Sequence, residues 1–315
     1  MRATIPPERP RVVAVVGPTA AGKTELAAEF ARRVDGEVVS VDSRQIFRRL
    51  DIGTAKPSLE LRAEVPHHLV DVVEPDEPFD VARFQKLARA AVDDLHARGR
   101  APVLCGGSGL YLRALTEGLC PAPPADPEVR AAIARERDER GLDTLHRELA
   151  RVDPAAAARI APRDAVRITR ALEVARLTGR PLSAWQADHG FTDRPYELLT
   201  FVLSPPTPTL DERIATRSEA MWRAGLLEET KAVLDAGFDG GLAPLMAIGY
   251  REAQEVLSGR IDAEEAVERI RRETRRYAKR QRTWFRRMVD IERLDGTEPL
   301  SPLCERVAEF LRCGV

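Results

Sequence analysis

The sequence predicts an α/β fold, a parallel sheet covered by helices and interrupted by an inserted helical domain. Three observations carry this. Short apolar runs at 12–16, 37–41 and 101–105 alternate with amphipathic stretches, the pattern of parallel strands buried on both faces. Residues 128–185 then read only as helices, punctuated by Pro154, Pro162 and Pro181, before Tyr196–Leu203 returns to strand character. Four prolines between Cys120 and Pro127 mark the boundary between the two regimes.

The elements follow in order. Val12–Val16 has no alternation and suits a central strand. From Lys23 a helix places Leu26, Ala27, Phe30, Ala31 and Val34 on one face. Glu37–Val41 is the next strand and ends at Asp42. A loop-rich stretch with Gly53, Pro57 and Pro66 follows, then a helix over 80–97 with Phe84, Leu87, Ala91 and Leu95 on its buried stripe. Ala101–Cys105 is a strand closed by Gly106-Gly107. Leu210–Arg287 is mostly helical, with a turn at Leu257–Arg260, and the chain ends on a strand at Ile291–Leu294 and a helix at Leu303–Leu311. The domain expectation is a first part of the core at 1–122, the helical insert at 123–192, and core completion with a basic helical region at 193–315.

Composition bounds the rest. A chain of 315 residues, 43% hydrophobic and 31% charged, buries an ordinary core and is not disordered. No apolar run is long enough to span a membrane, and Met1–Arg11 has charges and three prolines but no apolar signal core. Cys105, Cys120, Cys304 and Cys313 are scattered without C-x-x-C spacing, which predicts neither zinc nor a disulfide framework and fits the cytoplasm. The net charge of −1 argues, taken alone, against nucleic acid as a partner.

Gly17-Pro18-Thr19-Ala20-Ala21-Gly22-Lys23-Thr24 fits G-x-x-x-x-G-K-[ST], with a strand before it and a helix after it. Such a loop turns backbone N–H groups onto phosphate oxygens at a helix N-terminus. Lys23 adds an ammonium and Thr24 a hydroxyl for Mg2+. The core is therefore expected to be P-loop NTPase-like, with a bound di- or triphosphate. Asp42, at the carboxyl end of the following strand, should face the same crevice. It is a candidate general base, a Mg2+ ligand through water, or a turn cap. The strand at 101–105 ends in Gly106-Gly107-Ser108 rather than an acid. That disfavours a motor or switch and favours a small-molecule kinase or a transferase with diphosphate as leaving group.

Residues 269–287 conceal a strong charge. Ten Arg and Lys stand against Glu273, a net +9, so the remainder of the chain carries −10. Tyr277, Trp284 and Phe285 interleave with the cations, a composition suited to phosphate backbones and unstacked bases. With one acid in the segment, local pairing is expected to be impossible, leaving the helix free for RNA.

Taken together the chain resembles the tRNA dimethylallyltransferase (tRNA isopentenyltransferase) family over nearly its whole length. The resemblance rests on the Pro-Thr-Ala centre of the phosphate loop, Ser40–Gln45, Asp51–Pro57, Pro66–Asp71, Gly106–Tyr111, Arg170–Val174, Ile248–Glu252 and Lys279–Arg286, in order. It implies transfer of a dimethylallyl group from dimethylallyl diphosphate to the exocyclic amine of adenosine 37, beside the anticodon of tRNA. The phosphate loop would grip the diphosphate. Lys23, Thr24 with Mg2+, and Arg217 would stabilise the leaving group, and Asp42 would accept the amine proton. Matching tRNA contacts are Asp42, Ser43, Arg44, Gln45, Ser108, Arg130, Val166, Arg167, Ile168, Thr169, Arg170, Met246, Ala247, Ile248, Gly249, Tyr250, Arg251, Lys279, Arg280 and Trp284. Ser108 stands where the family usually has Thr, Phe47 where it has Tyr, and Val166 and Met246 where it has Gln. Arg213 and Arg217 share one helix face at i, i+4, with Asp211 or Glu212 as the alternative partners. His67-His68 read as loop-ordering residues rather than metal ligands. The implied partners are the tRNA anticodon stem-loop and dimethylallyl diphosphate, with no membrane, and the chain is expected to act as a monomer. A P-loop kinase, an adenylate isopentenyltransferase and a non-enzymatic RNA-binding switch are the alternatives.

Overall fold

A computed structural model describes residues 9–312. Most of Met1–Arg11, and Cys313, lie outside that range. Six strands form one all-parallel sheet in the order β3-β2-β4-β1-β5-β6. They are β1 (Arg11–Val16), β2 (Gly36–Ser40), β3 (His67–His68), β4 (Ala101–Gly106), β5 (Glu197–Leu203) and β6 (Glu292–Leu294). β1 lies between β4 and β5, and every residue from Val12 to Val16 is fully buried. Val13 and Val15 face α1 (Lys23–Arg33) and α14 (Leu300–Arg312) in one core, where the rings of Phe30 and Phe201 lie 5.1 Å apart. Val12, Ala14 and Val16 face the other core, with α3 (Val81–Ala97) and α4 (Gly109–Glu117), where Phe84 stacks on Tyr111 at 4.2 Å. The unbroken apolar run of β1 follows from this, because both of its faces are core. Each such side chain contributes about 1.5–3 kcal/mol by leaving water.

The chain forms two compact units. One holds the described residues up to Thr116 and from Pro195 onward; the other is Glu117–Arg194. The second unit is all helix: α5 (Pro127–Arg140), α6 (Leu142–Val152), α7 (Pro154–Ala157), α8 (Ala165–Thr178) and α9 (Leu182–His189). Its core joins Ile133, Leu145, Leu149, Ile168 and Leu172. Glu173, fully buried, accepts bonds from Asp126 N–H and from Arg130 and Arg170 at 2.7–2.8 Å. Burial alone would raise its pKa, but the two guanidiniums outweigh this and hold it low. The first unit is completed by α10 (Thr207–Arg223), α11 (Leu226–Asp235), α12 (Tyr250–Leu257) and α13 (Ala263–Phe285).

The loop-rich stretch after Asp42 contains two short elements that periodicity missed, α2 (Leu59–Glu64) and β3. Six and two residues are too few to show a period. Polar clamps order this stretch. Lys56, its side chain buried, donates to Asp51 and Asp71, both at 2.5 Å, and to Phe47 O at 2.7 Å. His68 Nε2 lies 2.6 Å from Glu37 Oε2, fixing edge strand β3 on β2, and His67 Nδ1 lies 2.7 Å from Val65 O. Among the described residues no cluster of three or more His, Cys, Asp or Glu could hold a metal.

Glu37 is buried and accepts from Arg98 at 2.7 and 3.1 Å as well as from His68. Arg98 foremost, with His68, overcomes burial and holds the carboxyl at about 2, against 4.5 for a free glutamate. The folded-state pKa is the lower one, so its stabilisation is complete above about 4.5 and lost as pH falls toward 2. Glu37→Gln should therefore cost on the order of 3 kcal/mol at neutral pH. Urea unfolding should show the gap between wild type and variant closing as pH drops below 4.5.

Candidate active site

The carboxyl ends of β1, β2 and β4 open into a cleft of about 360 Å³ within the first unit. The loop between β1 and α1 forms one wall with Thr19, Lys23 and Thr24; the residues after β2 form another with Asp42, Ser43, Arg44 and Gln45. Arg217 enters from α10, and Thr274, Tyr277, Arg280 and Gln281 from α13. Met246–Gly249 close the rim. Ile214, Met221, Leu226 and Ile270 make an apolar lining beside these polar groups.

The phosphate loop is held by close backbone packing. Gly17 has φ of 146°, and a side chain there would strike the Leu203 carbonyl of β5. Ala20 takes a left-handed conformation, φ 63°, and packs on Leu210, Ile214 and Ala278 from α10 and α13. Lys23 Nζ donates to Pro18 O at 2.7 Å. Burial lowers the Lys23 pKa; Arg217 pushes the same way and Asp42 opposes. Burial likewise works against the charge of Arg217, opposed by Asp42 and Glu25. Guanidinium stays charged regardless. Cys105 beside them is pushed up to about 12 by burial and is a neutral thiol. Two half-buried basic groups thus share the cleft with one carboxylate, and an anion bound there would favour their charged forms.

Asp42 Oδ1 accepts the Arg44 N–H at 2.8 Å, a turn that fixes the carboxylate at the end of β2. Ser108 supports the same turn: its Oγ accepts the Ser43 N–H at 3.0 Å and its own N–H reaches Val41 O. Gln45 donates to Ala55 O at 3.0 Å, bringing the 51–57 loop over the cleft. That loop is anchored by Glu229 of α11, which accepts backbone N–H bonds from Asp51, Ile52 and Gly53 and the Tyr250 hydroxyl at 2.6 Å. One carboxylate therefore ties the 51–53 loop to the Met246–Tyr250 rim.

The expected site residues divide clearly. Lys23, Thr24, Arg217, Asp42, Ser43, Arg44, Gln45, Met246, Ala247, Ile248, Gly249 and Arg280 converge on the cleft. Gly17, Pro18, Ala20, Ala21 and Gly22 shape the loop behind Thr19. Ser108 lies beside Ser43, and Lys279 is exposed on α13. Arg213 donates to Ala21 O and Asp211 faces Arg275, so neither Asp211 nor Glu212 neutralises the Arg213–Arg217 face. Val166 and Arg167 are exposed on the first turn of α8, Thr169 is half-buried, and Arg130 and Arg170 surround Glu173 in the same unit.

Three expectations are corrected. The side chains of Ile168 and Tyr250 are fully buried, so they serve packing and the Glu229 anchor rather than direct RNA contact. Trp284 lies against Gly109 and Phe285 is core, so these aromatics are not free stacking platforms. The basic helix is also not unpaired. Arg269 meets Glu255 and Glu265, Arg271 meets Glu219 and Glu268, and Arg272 and Arg276 meet Glu273. Apart from Glu273, these acids lie outside residues 269–287, on the preceding turns of α13 and on α10 and α12. Lys279, Arg280, Arg286 and Arg287, farther along, have no ion pair with a described carboxylate and are exposed. Gln281 and Glu229 were not anticipated. Thr274, Tyr277 and Gln281, spaced i, i+3, i+7 on an otherwise charged helix, were the available signal for the α13 wall.

The family model described as IPP transferase matches residues 45–288. The chain is 45% identical over 300 residues to tRNA dimethylallyltransferase 2 of Geotalea uraniireducens, covering 95% of this chain and 97% of the relative. It is 50% identical over 277 residues to the tRNA dimethylallyltransferase of Anaeromyxobacter dehalogenans strain 2CP-C, covering 88% and 92%. Among solved structures, the full-length tRNA isopentenylpyrophosphate transferase of Bacillus halodurans superposes with a TM-score of 0.71 at 38% identity, covering 96% and 97%. A eukaryotic dimethylallyltransferase acting on tRNA gives 0.78 at 28% identity, covering 92% of this chain and 74% of that one.

Removing the anchor should be costly. Glu229→Ala leaves the Asp51 and Ile52 N–H groups and the buried Tyr250 hydroxyl proton without their acceptor, while Gly53 N–H keeps the Tyr250 oxygen, and should destabilise the protein by about 1–3 kcal/mol. Hydrogen exchange should show the 51–55 amides losing protection before the amides of β1; equal protection in both would contradict the anchoring role.

Proposed function

This chain belongs to the IPP transferase family, and on that premise we propose that it transfers a dimethylallyl group from dimethylallyl diphosphate to the exocyclic amine of adenosine 37 in tRNA, releasing diphosphate. The observation that carries the reading is the convergence of Lys23, Thr24, Arg217 and Asp42 on one cleft. The half-buried Lys23 and Arg217 suit the charge that grows on diphosphate as the allylic carbon–oxygen bond breaks. The adenine amine forms the new carbon–nitrogen bond, and its proton passes to the Asp42 carboxylate. An aromatic amine is a weak nucleophile, so alignment with the allylic carbon contributes as much as basicity. The apolar lining from Ile214, Met221, Leu226 and Ile270 suits a five-carbon tail.

The metal follows from donor chemistry. The Thr24 hydroxyl is a hard oxygen donor that fits Mg2+, which would take its remaining ligands from water and diphosphate and neutralise diphosphate charge, leaving the Asp42 carboxylate to accept the proton. Anticodon-loop adenines are unpaired, so extruding one costs less than from a duplex. We assign docking of the stem-loop backbone to Lys279, Arg280, Arg286 and Arg287 at the end of α13. The chain is read as a monomer acting in the cytoplasm with its tRNA.

Incubation with dimethylallyl diphosphate, Mg2+ and unmodified tRNA, then nuclease digestion, should yield prenylated adenosine by mass. No such product, together with ATP-dependent phosphorylation of a metabolite, would sink the reading in favour of a kinase. Asp42→Ala should reduce transfer by at least about a hundredfold while tRNA affinity stays near wild type; undiminished turnover would remove Asp42 as the base. Lys279→Gln should lower the slope of log affinity against log salt by about one. Arg271→Gln, altering a residue already paired with Glu219 and Glu268, should leave that slope unchanged.

A further inference from the structure

One buried side chain joins the phosphate loop to the helix that carries the exposed cations. Gln281, only 6% exposed, accepts the Thr19 N–H at 2.8 Å through Oε1 and donates to Gly107 O at 2.9 Å through Nε2. These contacts span 262 and 174 residues of sequence. The Gln281 amide packs directly on Gly107, where a side chain would have to displace it. One turn earlier, Ala278 packs with Ala20 of the phosphate loop in a small apolar cluster. Immediately before Gln281 stand Lys279 and Arg280, exposed and without carboxylate partners, Arg280 lying over the Tyr277 ring. The face of α13 that grips the loop and the face that is free for RNA therefore share the same two turns.

We propose that Gln281 is a positioning residue that couples RNA docking on α13 to the grip of the phosphate loop on diphosphate. The proposal rests on the function given above for this site. The Thr19 N–H is committed to Gln281, so the loop keeps its shape only while α13 holds its place. A stem-loop seated on Lys279 and Arg280 restrains α13 and, through the paired amide, the loop. By linkage, diphosphate and RNA each tighten the binding of the other by the same factor.

The test measures calorimetric affinity for inorganic diphosphate with Mg2+, with and without an anticodon stem-loop, in the full chain. Gln281→Met keeps the volume and loses both hydrogen bonds; Gln281→Glu keeps an acceptor for Thr19 N–H and loses the donor to Gly107. Wild type should bind diphosphate more tightly when the stem-loop is present. Gln281→Met should bind diphosphate about tenfold more weakly, and lose that tightening, while stem-loop affinity without diphosphate stays near wild type. In steady state the KM for the donor should rise more than kcat falls. Gln281→Glu guards against a variant that fails to fold, and it too should lose the tightening. No tightening in wild type, undiminished tightening in both variants, or an equal loss of stem-loop and diphosphate affinity would overturn the coupling. Wild-type prenylation of tRNA is scored separately, and because inorganic diphosphate binding does not need it, failure of the coupling and failure of the functional reading are told apart.

Discussion

The double-sided burial of β1 is the constraint on which the rest depends. Its five central residues are shielded from water on both faces, between β4 and β5. A strand so placed cannot slip by one residue without exchanging its two packed faces. The loop that leaves it is therefore delivered to one fixed point at the carboxyl edge of the sheet. From there the crossover through α1 reaches β2, leaving between them the slot that β4 fills. Ligands in open parallel sheets bind where strand order divides in this way. Asp42 and Lys23 meet in the cleft because β2 and β1 end at the same edge.

Around that edge polar groups from distant parts of the chain hold one another. Asp42 is turned by Arg44 N–H, Ser43 by Ser108, Thr19 by Gln281, and the 51–53 loop by Glu229. Such commitments remove the freedom that a long, irregular segment would otherwise keep, and they hold the Asp42 carboxylate in the cleft without a regular element beneath every residue. The 43–73 stretch has almost no periodic structure, yet Lys56 and Glu229 order it through several hydrogen bonds each. Burying charge this way is favourable only when every donor and acceptor is satisfied, and the 2.5–2.7 Å contacts of Lys56 meet that condition.

Charge is organised by the same logic. The near-zero total charge hides an excess on α13, but folding pairs the early part of that helix with acids of α10, α12 and its own first turns. What stays uncompensated is the short end that reaches the phosphate loop. A patch of this size gives salt-sensitive docking at one face rather than adhesion along any polyanion. Of the aromatics in the same segment, Trp284 and Phe285 went into packing because they lie on the side of α13 that meets the core, whereas Tyr277 lines the cleft.

How much was legible follows from the range of each interaction. The strands, the phosphate loop, the helical insert and the position of Asp42 were readable because each is written in a local pattern: an apolar run, a glycine spacing, a helical period, or the strand end that an acid occupies. The family resemblance extended this to Arg217 and the 246–251 rim. Local pattern failed where partners lie far apart in sequence. Nothing near Gln281 announces Thr19, and nothing near Glu229 announces the 51–53 amides. The count of cations in α13 could not disclose acids from other helices, and the motif could not reveal that Ile168 and Tyr250 point inward. The sequence by itself determined the architecture and the chemical groups available, because those depend on neighbours along the chain. Only the tertiary structure decided which charges remain free and which polar groups hold the site, because pairing and burial depend on what the fold brings close in space.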